Sequence, residues 1–135
     1  MIVLDEQLRN SGVEEACREW YRGRVRNIAS LRPGTVIKDD AIPVLLRRVP
    51  GTTFVTINVS DFWRRQSADR HYCMACFPLP DDRTDEIAGS LRRLFRVSSF
   101  ATKQARCGKV ARVAPSGVRY YAVGERRTRF LPWPD

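Results

Sequence analysis

The sequence predicts an α/β fold, a three-layer arrangement around a central, mainly parallel sheet with C-terminal β-strands added as an antiparallel extension. Three observations predict it. Short apolar runs alternate with amphipathic segments over the first two thirds of the chain, which is how strand–helix–strand units read. The last third abandons that alternation for three closely spaced β-rich runs. At 135 residues, with 43% hydrophobic and 29% charged residues, the chain suits a single domain that builds one core of its own. Residues 1–97 are expected to form the α/β core and residues 98–135 a basic helix and β extension.

The elements follow in order. Residues 1–5, MIVLD, are an apolar run ending in an acid, as a buried strand would be. Residues 11–22 read as a helix: Ser11 can cap it, Glu14 has capping-box spacing, and Val13, Ala16, Cys17 and Trp20 share a face. A short strand is expected over residues 25–29, broken by Pro33-Gly34. Residues 38–49 look helical, with Ile42, Leu45, Leu46 and Val49 inward and Pro43 confined to the first turn. Pro50-Gly51 ends that helix, and residues 53–59 form the most β-rich run of the chain.

A helical turn at 61–65 and a strand over 72–77 come next. Thr84 can cap a helix running to Val97, with Asp85 and Glu86 early and Arg92, Arg93 and Arg96 late, as the helix dipole favours. A second helix is expected over 98–107, closed by Gly108. Residues 109–114, 118–123 and 127–131 are strands, the first two joined by Pro115-Ser116-Gly117. The Pro132-Trp133-Pro134 end should pack down or make a contact. No apolar run reaches the roughly 18–20 residues of a membrane helix. The start, MIVLDEQL, has no basic segment of the signal-peptide kind. No membrane partner and a cytoplasmic location are therefore expected.

Charge is sorted along the chain. Residues 1–90 hold 13 Lys/Arg and 13 Asp/Glu, whereas residues 91–135 hold 11 Lys/Arg against Glu125 and Asp135, so the last third carries the whole net +9. Arg outnumbers Lys 21 to 3, which a GC-rich genome would produce, but codon bias does not sort charge into one third of a chain. Clustered cations are what a polyanion rewards, through phosphate contact and counterion release. Lys109, Arg112, Arg119, Arg126, Arg127 and Arg129 interleave with Tyr120, Tyr121 and Trp133, the mixture by which single strands are held. The plain alternative is a solvated face, with one of the two tyrosines simply the buried half of a strand.

In an open parallel sheet, reactive groups gather beyond the carboxyl ends of the strands. Asp5 lies at one such end; Asn58 and Asp61 lie at another, and Asp39 and Asp40 open the helix before that strand. Acids converging there repel one another unless a cation joins them, and oxygen ligands without thiol or imidazole point to Mg²⁺ or Mn²⁺. Such an ion can activate water and stabilise charge on a phosphodiester without a histidine base. Taken singly, Asp5, Asp39, Asp40 and Asp61 are also ordinary helix caps. His71-Tyr72-Cys73-Met74-Ala75-Cys76 has spacing that permits zinc with Cys107, but inside a strand Cys73 and Cys76 point to opposite faces, so buried thiols are the better reading.

Three landmarks give a family resemblance. MIVLDEQL, the Lys38-Asp39-Asp40-Ala41-Ile42 helix start and the FVTINVSDF run resemble short PIN-like proteins, the superfamily that includes VapC-type toxins. The family pattern is an apolar strand ending LDE, a D-x-x-I helix start and a strand ending T-x-D-x-D-F, and the likeness covers residues 1–97. It implies a PIN-like metal-dependent nuclease, an endoribonuclease acting on RNA or DNA with Mg²⁺ or Mn²⁺ and paired, in a toxin, with an antitoxin. Carried over by position, Asp5 is the first metal ligand with Glu6 a helper, Asp39 matches the D-x-x-I acid with Asp40 beside it, and Asp61 matches the acid before Phe62. Here the third landmark is one residue longer, and Asn58 stands where an acid is common. An asparagine ligates through its carbonyl oxygen but brings no charge. The alternative reading is therefore a catalytically degenerate protein that binds nucleic acid or an antitoxin. Homodimers are common in the family, although no residue here derives one.

Overall fold

The computed structural model describes residues 1–134; Asp135, counted in the charge above, lies outside the described residues. Seven strands, β1 (Ile2–Leu4), β2 (Val25–Asn27), β3 (Thr52–Thr56), β4 (Tyr72–Cys76), β5 (Lys109–Ala114), β6 (Gly117–Ala122) and β7 (Arg129–Pro132), form one sheet in the order β2-β1-β3-β4-β5-β6-β7. The first five strands in that order pair in parallel, and β6 and β7 are added antiparallel. An α/β fold with a mixed, mostly parallel sheet and an antiparallel C-terminal extension is thus what the chain adopts. The parallel order 2-1-3-4-5 is one of the two common doubly wound orders, and its switch point lies between β1 and β3.

Helices cover both faces. On one side, α1 (Val13–Arg18) and α4 (Ile87–Leu94) pack with Ile2, Leu4, Val55, Cys73, Ala75, Ala111 and Val113. On the other, α2 (Ile42–Arg47) and the short α3 (Val59–Phe62) pack with Val3, Phe54, Met74, Cys76, Val110 and Tyr121. Each strand feeds both cores because its side chains alternate. In the parallel strands β3 and β4 every residue is buried, which explains the near-continuous apolar run of β4 and the compact, β-branched threonines and Val55 of β3.

The helices are shorter than the sequence predicts at both ends: Val13–Arg18 against 11–22, Ile42–Arg47 against 38–49 and Ile87–Leu94 against 84–97. The expected helix at 38–49 opens as a 3₁₀ turn (Asp39–Ala41) and becomes α-helical only at Ile42, where Pro43 is tolerated in the first turn. The segment expected to be helical from Thr84 begins as a kinked 3₁₀ stretch (Asp81–Glu86), so Thr84 lies inside it and caps nothing. Ser11 is not the N-cap of α1. Gly12, at φ +85°, takes that place, and the Ser11 hydroxyl donates to the Leu8 carbonyl at 2.6 Å. The stretch 98–107 is a 3₁₀ turn (Ser98–Phe100) followed by α5 (Lys103–Arg106), whose N-cap Thr102 accepts from the Ala105 amide at 3.0 Å. No helix among the described residues is long and apolar enough to cross a membrane.

Candidate functional site

The cysteines are excluded first. Cys73 and Cys76 belong to opposite cores and both are fully buried, with burial pushing each thiol up to about 12. Protonated, buried thiols on opposite sides of a sheet do not assemble a zinc site. His71 Nδ1 lies 2.7 Å from the Asp69 carboxylate within one local turn, and among the described residues no three His, Cys, Asp or Glu side chains group around it to hold a metal.

The acids do come together. Asp5 follows β1 directly, and its backbone amide donates to the Val55 carbonyl at 2.8 Å, which fixes it beside the end of β3 at the switch point. It is 7% exposed. Oδ1 accepts from the Glu6 amide at 2.8 Å and Oδ2 from the Thr56 hydroxyl at 2.6 Å. Thr56 Oγ1 in turn accepts from the Asn58 amide at 2.9 Å. A fully buried threonine therefore relays a backbone donor to the carboxylate, and this residue was legible only as part of a β-rich run.

Burial raises the Asp5 pKa above the usual carboxylate range; the Thr56 and Glu6 donors oppose that, and the charges of Glu6 and Asp61 add to it. Asp39 is also raised, by desolvation first, then by a carboxyl hydrogen bond with Asp61 and by the charges of Asp61, Asp5 and Asp40. Asp5, Asp39 and Asp61 are thus electrostatic neighbours across three chain segments, and none of them takes part in an ion pair among the described residues. Asp40 and Glu6 flank the group, exposed, and Glu6 faces Arg9 at 3.9 Å. Asn58 acts on Asp61: its Nδ2 donates to Asp61 Oδ2 at 2.7 Å while its Oδ1 accepts from Ser60 Oγ at 3.3 Å. In this arrangement Asn58 orients Asp61.

The acids do not form a closed metal cage. Among the described residues, no three His, Cys, Asp or Glu side chains are grouped tightly enough to cage an ion. Mg²⁺ is commonly held by one or two carboxylates, with waters and substrate phosphate completing its octahedron. Asp5 and Asp61, with Asp39 beside Asp61, meet that lesser requirement.

A single cross-strand row leads away from the acids. Thr56 pairs with Cys76, Cys76 with Arg112, Arg112 with Arg119, and Arg119 with Phe130. All point to the face that α3 covers, as Asp5 does. Four strand spacings of about 4.8 Å put Arg119 roughly 19 Å from Asp5. There the sheet meets two adjoining clefts. One, of about 510 Å³, is lined by Arg64, Arg65, Gln66, Tyr121 and Arg126 among others. The other, of about 560 Å³, is lined by Trp63, Arg64, Arg119, Arg126, Arg127 and Thr128.

The predicted cationic set divides between the faces. Arg112, Arg119, Arg126 and Arg127 belong to the row and its clefts. Lys109 points to the opposite core, where its Nζ donates to the Ser99 carbonyl at 2.7 Å above the Phe100 ring. Arg129 is tied to Glu125 at 2.9 Å and lies on that same side. Trp133 is packed down, its indole donating to the Ala114 carbonyl at 2.9 Å beneath the Arg93 guanidinium. Both Tyr120 and Tyr121 are buried, on opposite faces, rather than one of them. Arg64, Arg65 and Trp63 come from the electrically neutral part of the chain, which is why a count of charge along the sequence misses them.

Comparison with family models, with curated proteins and with solved structures finds no match to the chain.

Proposed function

We propose that this protein is a PIN-like, Mg²⁺- or Mn²⁺-dependent ribonuclease, and in the narrower form of the proposal the toxin of a toxin–antitoxin pair. The observation that carries the reading is the meeting of Asp5, Asp39 and Asp61 at the β1/β3 switch point without a cationic partner. Asp5 and Asp61 hold the ion and Asp39 completes its surroundings, with Asp40 and Glu6 at the rim. A bound ion supplies an activated water and charge neutralisation at the phosphodiester. Thr56 and Asn58 hold the two carboxylates in place, and Arg112 and Arg119 lie along the row that a nucleic-acid strand follows. RNA is the favoured substrate, with DNA the alternative.

The test is cleavage of single-stranded and structured RNA in Mn²⁺, with and without EDTA, beside Asp5→Asn and Asp61→Asn. Loss of an essential metal-holding carboxylate should lower the rate by about 10²–10³-fold. Equal cleavage by all three proteins, or cleavage by none, overturns the nuclease reading. A second reading, binding without cleavage, is favoured by one observation: Asn58 donates to Asp61 and so occupies an oxygen that an ion would use. RNA binding that survives both substitutions, with no cleavage in any metal, selects it.

A further inference from the structure

We propose that the two clefts sharing Arg64 and Arg126 form a subsite for consecutive phosphates of a single-stranded polynucleotide, with Phe130 as its stacking platform. The inference deepens the proposed function, on which it rests for the choice of polynucleotide. Five arginines, Arg64, Arg65, Arg119, Arg126 and Arg127, line the clefts. Glu125 is the sole carboxylate among the lining residues, and it is already paired with Arg129. Planar guanidinium forks in a concave surface suit phosphate oxygens, which they bind bidentately.

Arg64 is the wall between the clefts, and its backbone is strained. It has φ +64°, a conformation an arginine rarely adopts. Its side chain holds that place by donating from Nη1 to the Arg126 carbonyl at 3.2 Å and by covering the Tyr121 ring at 5.5 Å. Trp63 packs on the other part of the same ring, 5.3 Å between centroids, and the Tyr121 hydroxyl donates to the Gln66 carbonyl at 2.5 Å. A residue kept in a costly conformation by contacts that also shape two clefts marks a functional position.

The aromatic component is what selects nucleic acid over other polyanions. Phe130 is 42% exposed, an uncommon state for a phenylalanine, and the Arg119 guanidinium sits 5.2 Å from its ring centroid. An exposed ring beside exposed cations offers stacking for an unpaired base while the phosphates reach the arginines. Bases of a duplex are already stacked and paired, so they gain nothing from Phe130.

The experiment is fluorescence anisotropy in EDTA with a labelled single-stranded RNA decamer, the same decamer in a duplex, and unlabelled polyglutamate as competitor. Wild type should bind the single strand about tenfold more tightly than the duplex, with polyglutamate competing poorly. Phe130→Ala, at an exposed position, and Arg64→Gly, which accepts positive φ without strain, should each weaken binding about tenfold. Arg64→Gly should also reduce the slope of log affinity against log salt by about one phosphate contact. Unchanged affinity and salt slope in both Phe130→Ala and Arg64→Gly overturns the subsite. Equal affinity for the duplex, or displacement by polyglutamate as readily as by RNA, overturns it as well. Binding of this pattern without cleavage in any metal leaves the subsite standing and removes the nuclease reading instead.

Discussion

The two ends of the cross-strand row are built on opposite principles. At the β1/β3 end, the buried Asp5 lies near the exposed Asp39 and Asp61, like charges that repel one another, and local contacts hold two of them: Thr56 and Glu6 on Asp5, Asn58 on Asp61. At the β5–β7 end, cations line open clefts and their partners are neutral: Arg64 donates to the Arg126 carbonyl over the Tyr121 ring, and Arg119 to the Thr128 hydroxyl. Crowded like charge in a buried place costs stability that a small cation can recover. Cations spread over an exposed concave surface cost little and suit a large anion. The difference teaches that one face of one sheet can carry a cluster of acids and a cluster of arginines about 19 Å apart, each built by its own segments of the chain.

The largest effect should come from breaking the acidic end at its packing. Phe62 is fully buried against Phe54, ring centroids 5.4 Å apart, and it anchors the short α3 that carries Asp61. Phe62→Ala should lower unfolding free energy by about 3–5 kcal/mol, read from urea denaturation. A loss under 1 kcal/mol would mean that α3 is not held through this ring.

The basic end breaks at a different place. Gly117 opens β6 with φ +151°, and a Cβ there would lie 2.3 Å from the Leu131 carbonyl oxygen and 2.9 Å from the Pro132 Cα. Gly117→Ala should therefore separate β7 from β6 at a cost of roughly 1–3 kcal/mol. The measurement that sharpens the comparison is RNA affinity beside hydrogen exchange. Exchange should rise in β6 and β7 and affinity should fall, while amides in β1 and β3 keep their protection. Faster exchange in β1 as well would show that the two ends are coupled.

Thr56→Val tests the relay. The swap keeps the shape but removes the hydroxyl that donates to Asp5 and accepts from the Asn58 amide. Two buried polar groups lose a partner, so a destabilisation of about 1–3 kcal/mol is expected, with slower cleavage and unchanged RNA affinity. Unchanged stability would show that water replaces the hydroxyl.

What the sequence made legible follows from where local chemistry decides the outcome. The strand at 72–77 was visible because an unbroken apolar run leaves few alternatives, and the antiparallel C-terminal extension because three β-rich runs follow one another with short turns. Asp5 and Asp61 were visible at strand ends for the same reason. The helix starts were not, because Ser11 and Thr84 have the chemistry of caps but the chain supplies other geometry, a left-handed Gly12 in one case and a kinked 3₁₀ turn in the other. The strand order, and with it the row from Thr56 to Phe130, is a tertiary choice that periodicity does not encode. Arg64 was invisible for a further reason, since no residue pattern announces a positive φ at an arginine. Lys109 and Arg129 were misplaced because charge counted along the chain ignores the two faces of a strand.

The smallest effect has the opposite sign, and it follows from the raised pKa of Asp5. Burial is its first cause, so the folded state disfavours the carboxylate relative to the unfolded chain. Well below the unfolded pKa of about 3.8, both states carry the proton and Asp5 imposes no penalty. As pH rises from the unfolded pKa through the folded one, the unfolded state releases its proton first, and the fold loses stability. Asp5→Asn does not titrate and keeps an amide oxygen for the Thr56 hydroxyl. In EDTA the variant should therefore melt above wild type at pH 7, by roughly 0.5–2 kcal/mol of stability, with the gap closing as pH falls toward 4. If the proposed ion binds, adding Mn²⁺ should raise the melting temperature of wild type more than that of the variant, which lacks one of the two carboxylates proposed to hold it. A variant less stable than wild type at pH 7, or equally stabilised by Mn²⁺, would mean that the buried acid is a structural cap rather than a charge held in waiting for a cation.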